Sequence, residues 1–176
     1  MTLGERLSTV ADIVLGNQSP SVAERALLLV HSPDEEQAYR SAEQAFLVGL
    51  KTRGVPHVVV DLSLAPFEVL ARKGLLDQAP KLDALQPGRF RRDLAGRLER
   101  ELVSRLEEQA CALGSGLLVL RNTAAVFPWV SFANVLRHLP AEVGTWVLVP
   151  FPGTATAATL RFMGRRNGFD YMARRV

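Results

Sequence analysis

The sequence has a single cysteine, Cys111, and three lysines against 18 arginines. One cysteine excludes an internal disulfide, and nothing in the composition requires an oxidising compartment. The longest apolar runs span eight or nine residues, far short of the roughly 20 that a membrane-spanning helix needs. The first residues, MTLGERLSTVAD, lack the apolar stretch of a signal peptide. These absences predict a cytoplasmic protein with no membrane contact.

The chain also lacks the usual phosphate-binding and nucleophile motifs. A phosphate-binding loop needs glycines followed by lysine and a hydroxyl residue, whereas the first predicted strand is followed by HSPDEE. The Gly153-Thr154 pair has no lysine beside it, and no G-x-S-x-G motif is present. A pair of catalytic carboxylates stays open, although residues 34–36 and Asp61 suit a helix start and a strand-end cap. We therefore expect no ATP hydrolysis, no cofactor and no enzymatic activity.

Metal chemistry is not expected either. His31, His57 and His138 fall at the ends of predicted elements, without a second histidine or an acid at ligand spacing. Cys111 falls on the apolar side of a long predicted helix, and we expect it to be a buried small hydrophobe.

Strand and helix patterns alternate along the chain. Apolar segments rich in valine and leucine predict strands at Arg25–Val30, His57–Leu62, Leu117–Leu120 and Thr145–Phe151, with an edge strand at Tyr171–Val176. Amphipathic patterns predict helices over residues 2–16, 32–53, 67–78, 92–113 and 127–139, with 79–92 as a loop or a broken helix. Such alternation indicates a mostly parallel sheet covered on both faces. We predict one α/β domain over residues 1–176, a three-layer sandwich of Rossmann-like or degenerate P-loop-like architecture.

Ligands of such sheets bind beyond the carboxyl ends of the strands. The sequence places polar residues and one turn segment there. The polar residues are Ser32, Asp34, Asp61, Ser63, Arg121 and Asn122, and the segment Phe151 to Thr154 contains a Pro-Gly pair. This edge is the expected position of any site in the sheet.

Basic residues are concentrated in the last part of the sequence. Residues 161–176 hold Arg161, Arg165, Arg166, Arg174 and Arg175 against one acid, a net +4, so that the preceding 160 residues sum to −1 in a chain of +3. A local cationic surface favours an acidic partner, either a protein or a nucleic acid. The alternative is a solvated edge whose charges prevent aggregation.

A second arginine cluster surrounds an aromatic residue. Phe90 lies between Arg89 and the pair Arg91 and Arg92, and aromatic and arginine side chains are enriched at the centres of protein interfaces. Phe90 is therefore a candidate anchor for a partner, or else a helix residue that packs into the core.

Three segments resemble the BrxB family of bacterial BREX phage-defence systems. They are ALLLVHSPDEE, VVVDLSLAPFEVLARKGLLD, and the closing VPFPG, LRFMG and NGFDYMARRV. The resemblance implies a non-catalytic component of the defence machinery that associates with the phosphatase-like protein PglZ. It makes a PglZ-like phosphatase-superfamily protein and other BREX components the expected partners, with DNA contacted indirectly if at all.

The leading hypothesis is thus an adaptor that binds a larger partner through its arginine-rich surfaces. The alternative is a nucleic-acid-binding module in which the arginines of residues 161–176 bind phosphates and Phe162, Phe169 or Tyr171 stack on bases.

Overall fold

The computed structural model of the protein describes residues 1–16, 20–21, 24–127, 129–139, 144–156, 160–162, 165–167 (backbone) and 173–176. The helices are α1 (Leu3–Gly16), α2 (Glu36–Thr52), α3 (Ala65–Arg72), α4 (Ala79–Leu85), α5 (Pro87–Leu113) and α6 (Phe132–His138). The strands are β1 (Ala26–His31), β2 (His57–Asp61), β3 (Gly116–Arg121), β4 (Thr145–Ala155), β5 (Leu160–Phe162), β6 (Arg165–Asn167) and β7 (Arg174–Arg175). Short 3-10 turns occupy Pro33–Glu35 and Thr123–Val126.

The main sheet is parallel and has the strand order β2-β3-β4-β1-β7. The beginning of β4 is central, with Val149 opposite Leu28 on one side and Leu148 opposite Val119 on the other. Beyond this region, β4 continues into an antiparallel extension with β5 and β6. The predicted α/β sandwich with a mostly parallel sheet is confirmed.

Helices cover both faces of the sheet. Alternate strand residues point to opposite faces, so Leu27 and Leu29 pack with α1 and α2, whereas Leu28 packs with α3, α5 and α6. The apolar stripe of α5 consists of Leu94, Leu98, Leu102, Leu106 and Ala110, and each of them is buried. Burial on both faces explains why the strands read as continuous apolar runs.

The chain leaves β1 through a capped turn. The Ser32 hydroxyl accepts a hydrogen bond from the Asp34 amide at 3.4 Å, and the Glu35 carboxylate accepts one from the Ser32 amide at 2.9 Å. This reciprocal pair satisfies donors at the start of the helical segment. Ser32 is thus the N-cap of this segment, and the helix α2 that follows lies on the same face of the sheet as α1.

Several predicted helix limits were wrong. The helix predicted to reach Gln78 ends at Arg72, just before Gly74, whose φ of 63° suits a helix end. Residues 79–92 form a broken helix, with the break at Gln86 between α4 and α5. The helix predicted from Phe127 begins only at Phe132, because the Ser131 hydroxyl caps it by accepting from the Asn134 amide.

Cys111 was predicted to be buried, but it is exposed. The buried stripe of α5 advances in steps of four residues to Ala110. Because successive helix residues are rotated by about 100°, the next side chain points away from the core. Cys111 follows Ala110, the last residue of the buried stripe, and does not belong to this stripe.

The edge beside β1 is formed by β7, within the predicted edge strand Tyr171–Val176; residues 171–172 lie outside the described residues. Arg6 on α1 fixes this edge by donating to the backbone oxygens of Val30 and Val176. Among the described residues, no helix is both long and apolar enough to cross a lipid bilayer.

Candidate functional site

A cavity of about 320 Å³ opens beyond the carboxyl ends of β1 and β3, beside Pro150 and Pro152 of β4. At this place the chain leaves β1 towards α2 on one face, and leaves β3 towards α6 on the other. Neighbouring loops that diverge in this way leave a crevice, the usual ligand position in open α/β sheets. The cavity therefore lies where the fold predicts a site.

Four of the polar residues predicted at this edge come together. Ser63, Arg121 and Asn122 line the cavity. Asp61 accepts hydrogen bonds from the Asn122 side-chain amide at 2.9 Å and from the Ser63 backbone amide at 2.8 Å. Burial raises the pKa of Asp61, but these hydrogen bonds outweigh it, and the pKa lies below its ordinary value.

The remaining predicted edge residues have other positions. Ser32 and Asp34 form the capped turn and do not line the cavity, whereas Pro152 within the segment Phe151 to Thr154 does. Thr154 is exposed in the outer part of β4 and pairs with Arg161 of β5. The edge thus divides into a cavity wall and a capped turn.

Sequence reasoning missed the contribution of α2. Glu36, Tyr39, Arg40 and Glu43 all line the cavity, and their spacing of three, four and seven residues places them on one face of the helix. This spacing was a readable signal, but the same pattern also describes an ordinary solvated helix face. Only the position of α2 over the sheet edge turns it into a wall of the cavity.

Glu43 and Arg121 form the best-buried ion pair of the cavity. The Glu43 side chain is 2% exposed, and its Oε2 accepts a hydrogen bond from Arg121 Nε at 2.8 Å and lies 2.8 Å from Arg121 Nη2. Tyr39 donates to the other oxygen of Glu43 at 3.4 Å. Burial raises the pKa of Tyr39, and the negative charge of Glu43 raises it further. Tyr39 therefore stays a neutral hydrogen-bond donor.

His31 ends β1 in an unusual environment. Its side chain is buried and stacks parallel to the Tyr39 ring, with centroids 4.7 Å apart. Nδ1 lies 2.9 Å from the Ser32 carbonyl oxygen, so Nδ1 is the donor of this hydrogen bond, and in the neutral imidazole form Nε2 presents a lone pair. Nε2 is buried without a hydrogen-bond partner among the residues that the structure describes, at 3.6 Å from Glu36 Oε2.

A second depression, of about 280 Å³, lies between α3, α4 and α5. Its floor is apolar and includes Leu70, Leu75, Leu82, Leu94 and Phe90. We call this depression the α4 groove. Phe90 is half-buried on α5 and packs against the core, as the second of the two alternatives predicts, and its role as an anchor for a partner stays a prediction.

Cationic side chains predominate at the α4 groove. Lys73, Arg89 and Arg97 line it together with one acid, Asp93. Arg91 lies beside the groove and is held by Asp83, whose two carboxylate oxygens accept from it at 2.8 Å. Arg92 is exposed and does not line the groove. Of the four residues 89–92, Arg89 and Phe90 therefore line the α4 groove.

The arginines of residues 161–176 are only partly described. Arg161, Arg174 and Arg175 are exposed, and Arg175 donates to the Thr156 carbonyl oxygen at 2.6 Å. Arg165 and Arg166 form part of β6, where only the backbone is described. The candidate stacking residue Phe162 is buried against Phe151 and Phe127, and Phe169 and Tyr171 lie outside the described residues. Phe162 is thus a core residue and not a stacking platform.

Within the described part of the chain, no group of three or more His, Cys, Asp or Glu residues has the arrangement of a metal site. No protein-family model, curated protein or solved structure matches the sequence or the fold.

Proposed function

We propose that this protein is a non-catalytic adaptor of a BREX-type defence assembly that binds a PglZ-like protein through the α4 groove. The observation that carries the proposal is an apolar depression with an excess of cationic side chains on the outer helix layer. The resemblance of three sequence segments to the BrxB family supports the choice of partner.

Large apolar side chains on α3 and α4 are exposed. Leu85 on α4 lines the groove and is 68% exposed, and Phe67 on α3 is 57% exposed. Large exposed hydrophobic residues that lie near one another mark binding surfaces on soluble proteins. Because α4 has no buried residues and packs on α5, it forms a wall of the groove that can adjust to a bound segment.

The charges select the kind of segment. Three cations against one acid give the groove a net charge of +2. This charge favours a partner helix with leucine-like anchors on one face and acids beside them. Such a helix fits the groove between α3 and α5, with Phe90 at the floor.

Reversing two of these charges is expected to abolish binding. In the double variant Arg89→Glu and Arg97→Glu, the net charge of the groove changes from +2 to −2, which repels an acidic segment. We expect co-purification with the PglZ-like protein from the same genome to fall at least tenfold, since like charges across an interface cost several kcal/mol.

The matched control carries the same change of charge on the opposite face of the sheet. Lys51→Glu and Arg53→Glu alter exposed residues at the end of α2 and should leave co-purification unchanged. Undiminished binding of the groove variant contradicts the α4 groove as the interface. Failure of the wild-type chain to bind any PglZ-like protein contradicts the proposed partner.

The exposed arginines near the end of the chain favour nucleic acid as a second candidate partner. A quadruple variant distinguishes the two candidate partners, the PglZ-like protein and nucleic acid. It changes Arg165, Arg166, Arg174 and Arg175 to Glu. Our leading proposal expects this variant to keep the PglZ-like protein, which binds through the α4 groove, and wild-type protein to show no affinity for duplex or single-stranded DNA at low salt. If instead the wild type binds DNA with an affinity that falls log-linearly with salt, and the variant does not, the nucleic-acid module is correct.

A further inference from the structure

The cavity beyond β1 and β3 is lined by residues that have no part in the proposed adaptor function. Glu36 and Glu43 are balanced by Arg40 and Arg121, so that its charged lining residues sum to zero. The loop after β1 carries acids and no glycine or lysine, and therefore lacks the amide-rich cradle that binds phosphate. The cavity is thus suited to an uncharged ligand.

The walls of the cavity favour a flat molecule. Pro33, Pro150, Pro152, Ala124 and Ala125 contribute apolar surface. The volume of about 320 Å³ is at the lower end of the range for small-molecule sites. A single heterocyclic base with its sugar is of suitable size, whereas a dinucleotide is too large.

Two acceptors determine which edge of the ligand is recognised. His31 Nε2 and Glu36 Oε2 lie 3.6 Å apart. Neutral His31 accepts at Nε2 because Nδ1 donates to the Ser32 carbonyl. Glu36 Oε1 already accepts from Arg40 Nε at 3.0 Å, which leaves Oε2 as the second acceptor. Two neighbouring acceptors match two parallel N–H bonds on one planar N–C–N unit, the geometry by which a guanidinium binds a carboxylate.

His31 carries the buried polar atom that points to a ligand. A buried polar nitrogen without a hydrogen bond is costly in a folded protein, and Nε2 is such an atom among the described residues. The Glu36 side chain beside it is 38% exposed, so it can rotate to admit a ligand. Tyr39, stacked on His31, holds the imidazole in place.

We propose that this cavity binds an uncharged aminated heterocycle of the guanine type, whose two adjacent N–H donors bind His31 and Glu36. The base is recognised through this edge and lies between the proline and alanine walls. The phosphates of a nucleotide contribute nothing, because the cavity offers them no cradle. The site is separate from the α4 groove, so the two proposals stand or fall independently.

Guanosine binding to the full chain, measured by isothermal titration calorimetry, tests the proposal without any substitution. Inosine has the same ring system but lacks the exocyclic amine, and we expect it to bind about tenfold more weakly than guanosine, which is the effect of one lost hydrogen bond to a charged acceptor. Guanosine monophosphate should bind as guanosine does. Equal affinity for guanosine and inosine, or no heat with guanosine at millimolar concentration, overturns the proposal. A large gain from the phosphate also overturns it.

Substitutions locate the site. His31→Phe keeps an aromatic ring against Tyr39 but removes the acceptor, and Glu36→Ala removes the second acceptor; each should weaken guanosine binding about tenfold or more. The matched control is His57→Ala, since His57 also contacts a backbone carbonyl through Nδ1 but lies at the opposite end of the sheet. Should His31→Phe fail to fold, the side-chain ¹⁵N resonances of His31 in the wild type decide. They shift during the guanosine titration if the proposal is correct and stay unchanged if it is wrong.

Discussion

Replacing Gly116 by alanine is expected to lower the free energy of unfolding by about 4 kcal/mol, combining backbone strain with a steric clash. Gly116 begins β3 with a φ of 126°, a conformation that side-chain-bearing residues rarely adopt. A Cβ atom there would lie 2.2 Å from the Pro56 carbonyl oxygen. That same oxygen accepts the hydrogen bond of the Leu117 amide at 3.0 Å, so neither partner can move without loosening β2 from β3.

Urea denaturation measures this effect, and Gly49→Ala provides the matched control. Gly49 lies inside α2, where a Cβ would meet nothing within 4 Å. Alanine is the better helix former by roughly 0.5–1 kcal/mol, so the control variant should be slightly more stable than the wild type. If Gly116→Ala unfolds at the wild-type urea concentration, the close contact between β3 and Pro56 is not a feature of the folded protein.

Arg25→Met is expected to cost about 3 kcal/mol of folding stability, mainly from buried carbonyl groups that lose their donor. Arg25 is only 1% exposed, just before β1, and burial lowers its pKa. Its Nη2 donates to the Leu136 carbonyl oxygen at 3.2 Å and to the Leu139 carbonyl oxygen at 2.6 Å. These groups lie at the end of α6, where a helix has no internal donors for its last carbonyls. Methionine fills much of the volume but donates no hydrogen bond.

Thermal and urea unfolding of Arg25→Met should be compared with Arg53→Met. Arg53 is exposed and pairs with Asp12 at 2.7 Å. Surface ion pairs of this kind contribute roughly 0.2–1 kcal/mol, so the control should unfold nearly as the wild type does. Equal losses in the two variants would mean that the helix-capping role of Arg25 is wrong.

Local sequence signals predicted much of the fold. Valine and leucine runs identified the first four strands, and the acids of residues 34–36 identified the helix start that follows β1. Two predictions failed for different reasons. Ser131 caps α6, so that this helix starts later than the apolar pattern indicated. Cys111 lies beside the buried stripe of α5 instead of within it. The limits of a helix depend on individual capping hydrogen bonds, and the burial of a residue depends on the direction of its side chain. A pattern of apolar spacing resolves neither.

The candidate site was predicted only in its strand half. Asp61, Ser63, Arg121 and Asn122 follow strands, and parallel strands bring their carboxyl ends to one edge. The α2 residues could not be assigned to the same place, because a stripe of polar residues on a helix is usually solvated. The pairing of Glu43 with Arg121 joins residues 78 positions apart.

The sequence by itself determined the α/β class, the buried strands and the concentration of arginines in residues 161–176. It did so because these properties follow from side-chain type and spacing within one or two turns of chain. Only the tertiary structure decided the strand order, the meeting of α2 with the ends of β1 and β3, and the α4 groove around Phe90. The physical reason is that such contacts join distant segments, and their formation depends on how whole elements pack against the sheet.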